Sequence, residues 1–370
     1  MLPSGTSLAS KTSSRALMLA AALTLLAQCP GEARALTRAR QAMRPDTARA
    51  DSARTPRYPT LKVSGFVQVF HKVRFDDDGS GTTEPALMRV QRARITFQGA
   101  VNRHVRYEMD IDPRAPELAG ILRDAYISLD YIPHHSLRIG QQKTLFGYEN
   151  PISSSRLFVV NRAEISDNLS RGINLRDTGI GLVGSYDLSK HLRLEDAFTI
   201  VNGAGLNVQA DSTHRKNVWG RLGLRYRRDD VTLRFGASAG SGDVQEPEDP
   251  GPPVEPAFLY TFTRLGTDVV LDHPRAFFAA EYVMGQNTMA PPLGERERLA
   301  GYYLLAAGKT RWNLGPIVRY DVFEDFQRVT LGAYVGRPTD DVSLLFNYEV
   351  FRDETGPHDH RVYLRLQTRF

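Results

Sequence analysis

The ten residues RVYLRLQTRF, Arg361 to Phe370, alternate apolar and polar side chains without a break and then stop on an aromatic ring. Successive side chains of a strand point to opposite faces. Val362, Leu364, Leu366, Thr368 and Phe370 therefore share one face, and Arg361, Tyr363, Arg365, Gln367 and Arg369 share the other. A half-buried strand of a soluble antiparallel sheet also alternates. Two features weigh against that reading: three arginines on one short polar face, and nothing after the aromatic to cover an edge. A strand standing between lipid and a water-filled lumen needs both faces as they are.

The 370 residues are 41% hydrophobic, enough for a large core. The longest apolar stretch, Ala16 to Ala27, follows Lys11 and Arg15 and precedes Ala33-Arg34-Ala35. A charged start, an apolar run too short to span a bilayer and an A-x-A site define the expected secretory signal, residues 1–35. Cys29 is the only cysteine and falls within it. Gln28 makes Leu26-Ala27-Gln28-Cys29 a poor lipidation box, so residues 36–370 are expected to carry neither disulfide nor thiol chemistry. Residues 36–60, rich in Arg, Pro and Ala, read as a disordered tail. The signal holds three bases and one acid and the tail six arginines and two aspartates, which leaves 38 basic and 39 acidic residues beyond them. That body, residues 61–370, is nearly neutral, which argues against a nucleic-acid-binding surface.

From Leu61 onward sixteen segments read as strands, and no segment between them has a long helical period. Outward sets at period two include Val105, Tyr107, Met109 and Ile111; Ala125, Ile127, Leu129 and Tyr131; Val231, Leu233, Phe235 and Ala237; and Val342, Leu344, Phe346, Tyr348 and Val350. Connections alternate between short turns and longer links, with one short exception near Glu324 to Phe326. An even number of strands with short turns at one end and long loops at the other is the layout of an outer-membrane barrel with both termini in the periplasm. The expected fold is thus all-β, a transmembrane antiparallel β-barrel of about sixteen strands over residues 61–370.

Other motifs have plainer readings. Gly179-Ile180-Gly181-Leu182-Val183-Gly184 matches a dinucleotide fingerprint, but it lies in a strand with no helix after it, so its glycines read as close-packing points. Asp76, Asp78, Ser80 and Gly81 begin like a calcium loop, yet Leu87 stands where a glutamate should chelate. His358 and His360 lack metal-binding partners in the sequence. With neither a nucleophile elbow nor an HExxH, no catalytic residue, metal or cofactor is expected; an outer-membrane hydrolase is the minority reading.

The stretches RARITFQG, VRYEMDID, LRDAYISLDY, LRIGQQKTLFGYENPISSSRLFVVNR and RDTGIGLVGSYDL occur between Arg92 and Leu188. In that order they resemble the phosphate-selective porins O and P. The resemblance is strong over residues 61–202 and generic afterwards, apart from Phe370. It implies a sixteen-stranded porin in the bacterial outer membrane, a homotrimer in contact with membrane lipid, passing small anions such as phosphate or polyphosphate. Phe370 resembles the signal by which the barrel-assembly machinery recognises its clients. One departure concerns lysine, which lines the pores of the family's phosphate specialists alongside arginine. Residues 36–370 hold only Lys62, Lys72, Lys143, Lys190, Lys216 and Lys309.

Strand parity points Arg92, Arg94, Arg106, Arg193, Arg221, Arg225, Arg234 and Arg319 inward, and with Lys143 they are the candidate pore-lining residues. Arg361, Arg365 and Arg369 share that face, as do Glu108, Asp110, Asp124, Asp130, Glu195, Asp321 and Glu349. For any single arginine, bracing the wall across strands is as good a reading as contact with solute. Collectively the bases exceed the acids, which favours anions, with a nonselective porin as the alternative. Residues 147–175 form the longest link. Its cluster Leu157, Phe158, Val159, Val160 and Ile165 is costly in water, so the link is expected to fold inward and narrow the pore. Arg156, Arg162 and Arg171 would then be rungs for an anion and Ser153, Ser154 and Ser155 hydrogen-bond donors. Packing over a trimer neighbour is the competing reading.

Overall fold

The computed structural model describes residues 57–75, 87–115, 120–169, 176–208, 215–245, 258–289, 294–352 and 359–370. The expected signal, most of the tail, the Asp76 to Gly81 motif, His358 and Arg171 lie outside them. Sixteen strands form: β1 (Lys62–Phe75), β2 (Leu87–Asn102), β3 (Val105–Ile111), β4 (Leu122–Leu129), β5 (His135–Lys143), β6 (Arg176–Asp187), β7 (Leu192–Val201) and β8 (Asn217–Arg228). The second half comprises β9 (Val231–Gln245), β10 (Phe258–His273), β11 (Ala276–Met289), β12 (Arg296–Gly308), β13 (Leu314–Phe323), β14 (Phe326–Val335), β15 (Val342–Arg352) and β16 (Asp359–Arg369).

Each strand pairs antiparallel with its sequence neighbours, and β1 pairs with β16 to close the barrel. In that seam Gln68 meets Gln367, and the Gln68 Nε2 donates to the Gln367 Oε1 at 2.7 Å. The Gly65 N–H donates to the Phe370 carbonyl at 3.0 Å and the Phe370 N–H returns the bond at 3.1 Å. A Cβ on Gly65 would lie 2.6 Å from the Phe370 ring, so the ring lies over a position that tolerates no side chain. Closure leaves no sheet edge to seek another partner.

Alternation sorts the faces as the sequence implies. On β16, Leu364 and Leu366 are exposed on the outside, whereas Tyr363, Arg365 and Gln367 are buried on the inside. The outer face continues through Ile127, Ile139, Phe198, Leu222, Phe235, Leu265, Leu304, Leu331 and Phe346, which is the apolar band a lipid-facing wall requires. Tight turns such as Asp229-Asp230, with Asp229 at φ 52°, join strands at the periplasmic end. At the opposite end Glu324-Asp325 is the short exception, with Glu324 at φ 50°. The wall is uneven in height: β3, β4 and β5 have 7, 8 and 9 residues, against 15, 16 and 14 in β9, β10 and β11. The buried apolar core lies inside the barrel, between this wall and the link that follows β5.

Candidate functional site: the lumen and its inner loop

The loop after β5 is described from Thr144 to Leu169 and contains a 3-10 turn, Ser154–Arg156, and a short helix α1, Glu164–Asn168. It lies inside the barrel. Leu157, Val159, Val160, Ile165 and Leu169 are buried against inward residues of β8 and β10–β15, among them Trp219, Val270, Val283, Leu305, Ile317 and Leu345. Phe146 meets Trp219 edge-on at 5.3 Å, and Phe158 packs on Phe277 at 4.9 Å and Tyr334 at 5.5 Å. Each such side chain removed from water contributes about 1.5–3 kcal/mol, so this face of the loop has no comparable place in solvent.

Polar groups of the wall hold the loop by its backbone. Arg365 donates to the Ser154 and Leu157 carbonyls at 3.2 and 3.0 Å, Gln367 to Ser155 at 3.0 Å, and Arg319 to Asn161 at 2.7 Å. Arg264 donates to the Leu169 carbonyl at 3.0 Å, and Arg328 donates to that of Arg162. In the other sense, loop N–H groups donate to wall oxygens: Val160 to Asn347 at 2.7 Å, Glu164 to Asp321 at 3.2 Å, and Tyr148 and Glu149 to Glu281 at 3.2 and 3.1 Å. Lys143 Nζ caps the carbonyls of Asn150, Pro151 and Ile152 at 3.1–3.3 Å. Irregular backbone away from water needs such partners. Gly147 makes the entry possible: it sits at φ +69°, and a Cβ there would be 1.9 Å from a Glu281 carboxylate oxygen.

Two expected solute contacts are therefore corrected. Arg319 is fully buried beneath the loop, with Asp321 at 3.1 Å. Arg162 is buried within the loop, where its guanidinium donates to the Glu149 and Ile152 carbonyls. Strand parity gives a residue's face and not its depth, and an inward arginine under the loop meets backbone before it meets water. The Glu149 carboxylate accepts from the Ala163 N–H at 2.8 Å and the Ser166 hydroxyl at 2.9 Å. Nearby on α1, burial and then the neighbouring Glu149 charge push the Asp167 carboxyl up to about 6.

Two cavities border the loop. One cavity, of about 620 Å³, is lined by Lys62, Arg94, Arg138, Lys143, Arg156, Arg176 and Arg369 against Glu108, Asp110, Asp124 and Asp341. Seven bases to four acids leave an excess of positive charge there. Arg94 lies 3.4 Å from Asp110 and 3.5 Å from Asp112, and Arg176 lies 2.7 Å from Asp124. Arg92 donates to Gln68 at 3.1 Å. Ser153 and Ser155 border the cavity with their hydroxyls 3.1 Å apart, Ser154 is buried, and Arg156 projects exposed from the 3-10 turn. The second cavity, about 900 Å³, is lined by Arg106, Arg138, Arg221 and Arg234 with Tyr148 and Ile152 of the loop. There Arg106 pairs with Asp130 at 2.6 Å and Arg221 with Asp268 at 2.5 Å. Arg193 pairs with Asp187 at 2.5 Å and Arg225 with Glu195 at 3.3 Å. Most of the expected pore-lining bases thus carry a carboxylate partner.

Arg138 was not among the sequence candidates, yet it borders both cavities. Its guanidinium lies over the Tyr126 ring at 5.2 Å, and its Nε is buried without a hydrogen-bond partner among the described residues. Period two from the outward Leu137 and Ile139 was the signal that points it inward. Arg176, also missed, stands just ahead of the strand period at the Arg-Asp-x-Gly start of β6.

A closed sixteen-strand barrel holding a folded-in loop is the architecture of outer-membrane porins, and solved structures bear out the likeness. OmpT of Vibrio cholerae, in its trimer form, matches with a TM-score of 0.58 at 9% identity, over 84% of this chain and 99% of that one. The anion-selective porin from Comamonas acidovorans matches at 0.55 and 12%, over 84% and 100%. The DcaP channel of Acinetobacter baumannii matches at 0.54 and 13%, over 87% and 100%. At these identities the likeness is one of fold. The family model for phosphate-selective porin O and P matches residues 61–199. No curated protein sequence matches the chain. The family match and the barrel together support a channel in the bacterial outer membrane, ahead of an enzyme.

Proposed function

We propose that this chain forms a passive outer-membrane channel for small anions, phosphate among them, and works as a homotrimer. The observation that carries the reading is the excess of bases around the open cavity beside β1–β6. Low-dielectric walls focus that excess onto the water between them. Arg94, Arg138, Arg156 and Arg176 offer successive donors, each bond to an oxyanion contributing on the order of 1.5–3 kcal/mol before the cost of stripping water. Weak sites in series suit conduction, because an ion must leave as readily as it enters. The carboxylates opposite Arg94 and Arg176 keep any single site from binding too tightly. The same carboxylates favour a second reading, a porin with little selectivity, in which the arginines only brace the wall.

Reversal potentials in a planar bilayer, first in a chloride gradient and then in a phosphate gradient, separate the two. A potential on the anion side in both supports the proposal. A potential near zero in both makes the channel nonselective, and chloride preference without phosphate permeation removes phosphate from it.

A further inference from the structure

The outer face carries a groove that conduction does not use. It runs across β7–β12 and has a volume of about 900 Å³. One hydrogen-bonded row reads Phe198, Gly220, Ala239, Leu265, Met284 and Ala300 across these six strands. Its middle is a floor of two small residues between bulky apolar walls. A Cβ on Gly220 would find no atom closer than 4.0 Å, so the hollow there is real space.

The next row toward the extracellular end changes chemistry: Val218, Ser241, Thr263, Gln286 and Arg298. Two residues further along β12 on the same outward face stands Arg296, opposite Thr288. Both arginines are exposed, and neither has an ion-pair partner among the described residues. Glu324 lines the groove too, but its carboxylate is engaged by the Ala300 N–H. Tyr282 and Tyr302 pair on this face, and Tyr302 meets Tyr320 at 6.1 Å. Arg298 stands four residues beyond Tyr302, roughly 13 Å of strand toward the extracellular end. The β13–β14 hairpin ends where Phe323 faces Gly301, so the β12 arginines stand clear above a lower stretch of wall.

We propose that this groove is a binding site for the phosphorylated glycolipid of the outer leaflet, with one acyl chain over Gly220 and Ala239 and a headgroup phosphate on Arg298 and Arg296. The assignment rests on the outer-membrane location and not on anion selectivity. Charge and apolar surface are ordered along the groove as a lipid orders them, headgroup outward and chain toward the bilayer centre. A second copy of the chain would need a complementary apolar ridge, and the arginines would then have no partner in the hydrocarbon.

Native mass spectrometry of the refolded full-length barrel with bisphosphorylated lipid A and with its dephosphorylated form tests the site. The parent is expected to retain the bisphosphorylated form at least tenfold better. Arg296→Glu with Arg298→Glu should abolish that preference while keeping the parent's reversal potential. Arg298→Lys should keep most of the preference, and Ala239→Phe should lower retention of both lipids. Heat-modifiable electrophoretic mobility confirms that each variant is folded. Equal retention of the two lipids by the parent marks unspecific annular lipid and overturns the proposal, as does an unchanged preference in the double variant. Dissociation of the oligomer by Ala239→Phe would assign the groove to a second copy instead.

Discussion

Each arginine of the inner wall is placed by its nearest neighbour: backbone for Arg319 and Arg365, a carboxylate for Arg94 and Arg176, and open lumen for Arg138 and Arg156. These settings predict different consequences. Arg138→Gln removes a charge that borders both cavities and should move the reversal potential toward cations while the folded barrel melts as before. Arg319→Gln should leave the potential's sign alone and cost about 1–3 kcal/mol, because the Asn161 carbonyl loses its donor while Asp321 keeps Arg328 at 2.9 Å; denaturant midpoints together with bilayer recordings check the contrast. Asp167 gives a pH-dependent case. Its folded value of about 6 exceeds an unfolded value near 3.9, so ionisation is penalised only in the folded state. The penalty is absent below ~4, grows through the interval and is complete above ~6, on the order of 3 kcal/mol. Asp167→Asn should therefore raise the melting temperature at pH 7.5 and leave it unchanged at pH 3.5.

At the level of elements the inner loop depends on one backbone position. Gly147→Ala forces a left-handed residue to accept a Cβ where the Glu281 carboxylate lies. The loop should then seat poorly, giving larger and noisier single-channel currents without loss of the barrel. Removing Ser153 to Asn168 should enlarge conductance further, and unchanged conductance would place the loop's effect elsewhere. The loop's length and the cluster Leu157 to Ile165 were legible in the sequence because an apolar run of that size cannot stay in water. The strands were legible because lipid outside and water inside impose period two on both faces. Which inward arginines remain wet was not legible: β13 shows the same alternation whether Arg319 faces a solute or the Asn161 carbonyl. For Arg138 the alternation of β5 gives the inward face and not the two cavities it borders.

For the whole molecule the uneven wall matters. A strand needs about 9–11 residues to cross the hydrocarbon, and β3 and β4 have 7 and 8. Met109, Ile127 and Ile139 are nonetheless exposed on the outer face of that low sector. Burying it against neighbouring copies removes the mismatch, which supports the homotrimer reading. Ile127→Arg should then release monomers in mild detergent, read by light scattering, whereas a persistent trimer would put the interface on another sector. The seam between Gly65 and Phe370 bears on assembly. Deleting Phe370 removes both hydrogen bonds and the ring over Gly65, and cell fractionation should find less protein in the membrane and more in the periplasm.

The wall's hold on Ser154, Ser155 and Leu157 through their carbonyls has an evolutionary consequence. A carbonyl is the same whatever side chain its residue carries, so anchorage places little constraint on the identity at 156, whose side chain faces the cavity, whereas Ser153 caps the 3-10 turn through its hydroxyl. Position 156 is free to drift or to be exchanged between related chains while the loop stays moored. A lineage can thereby sample new permeants at that position without first losing a functional pore, and a designer can vary it alone.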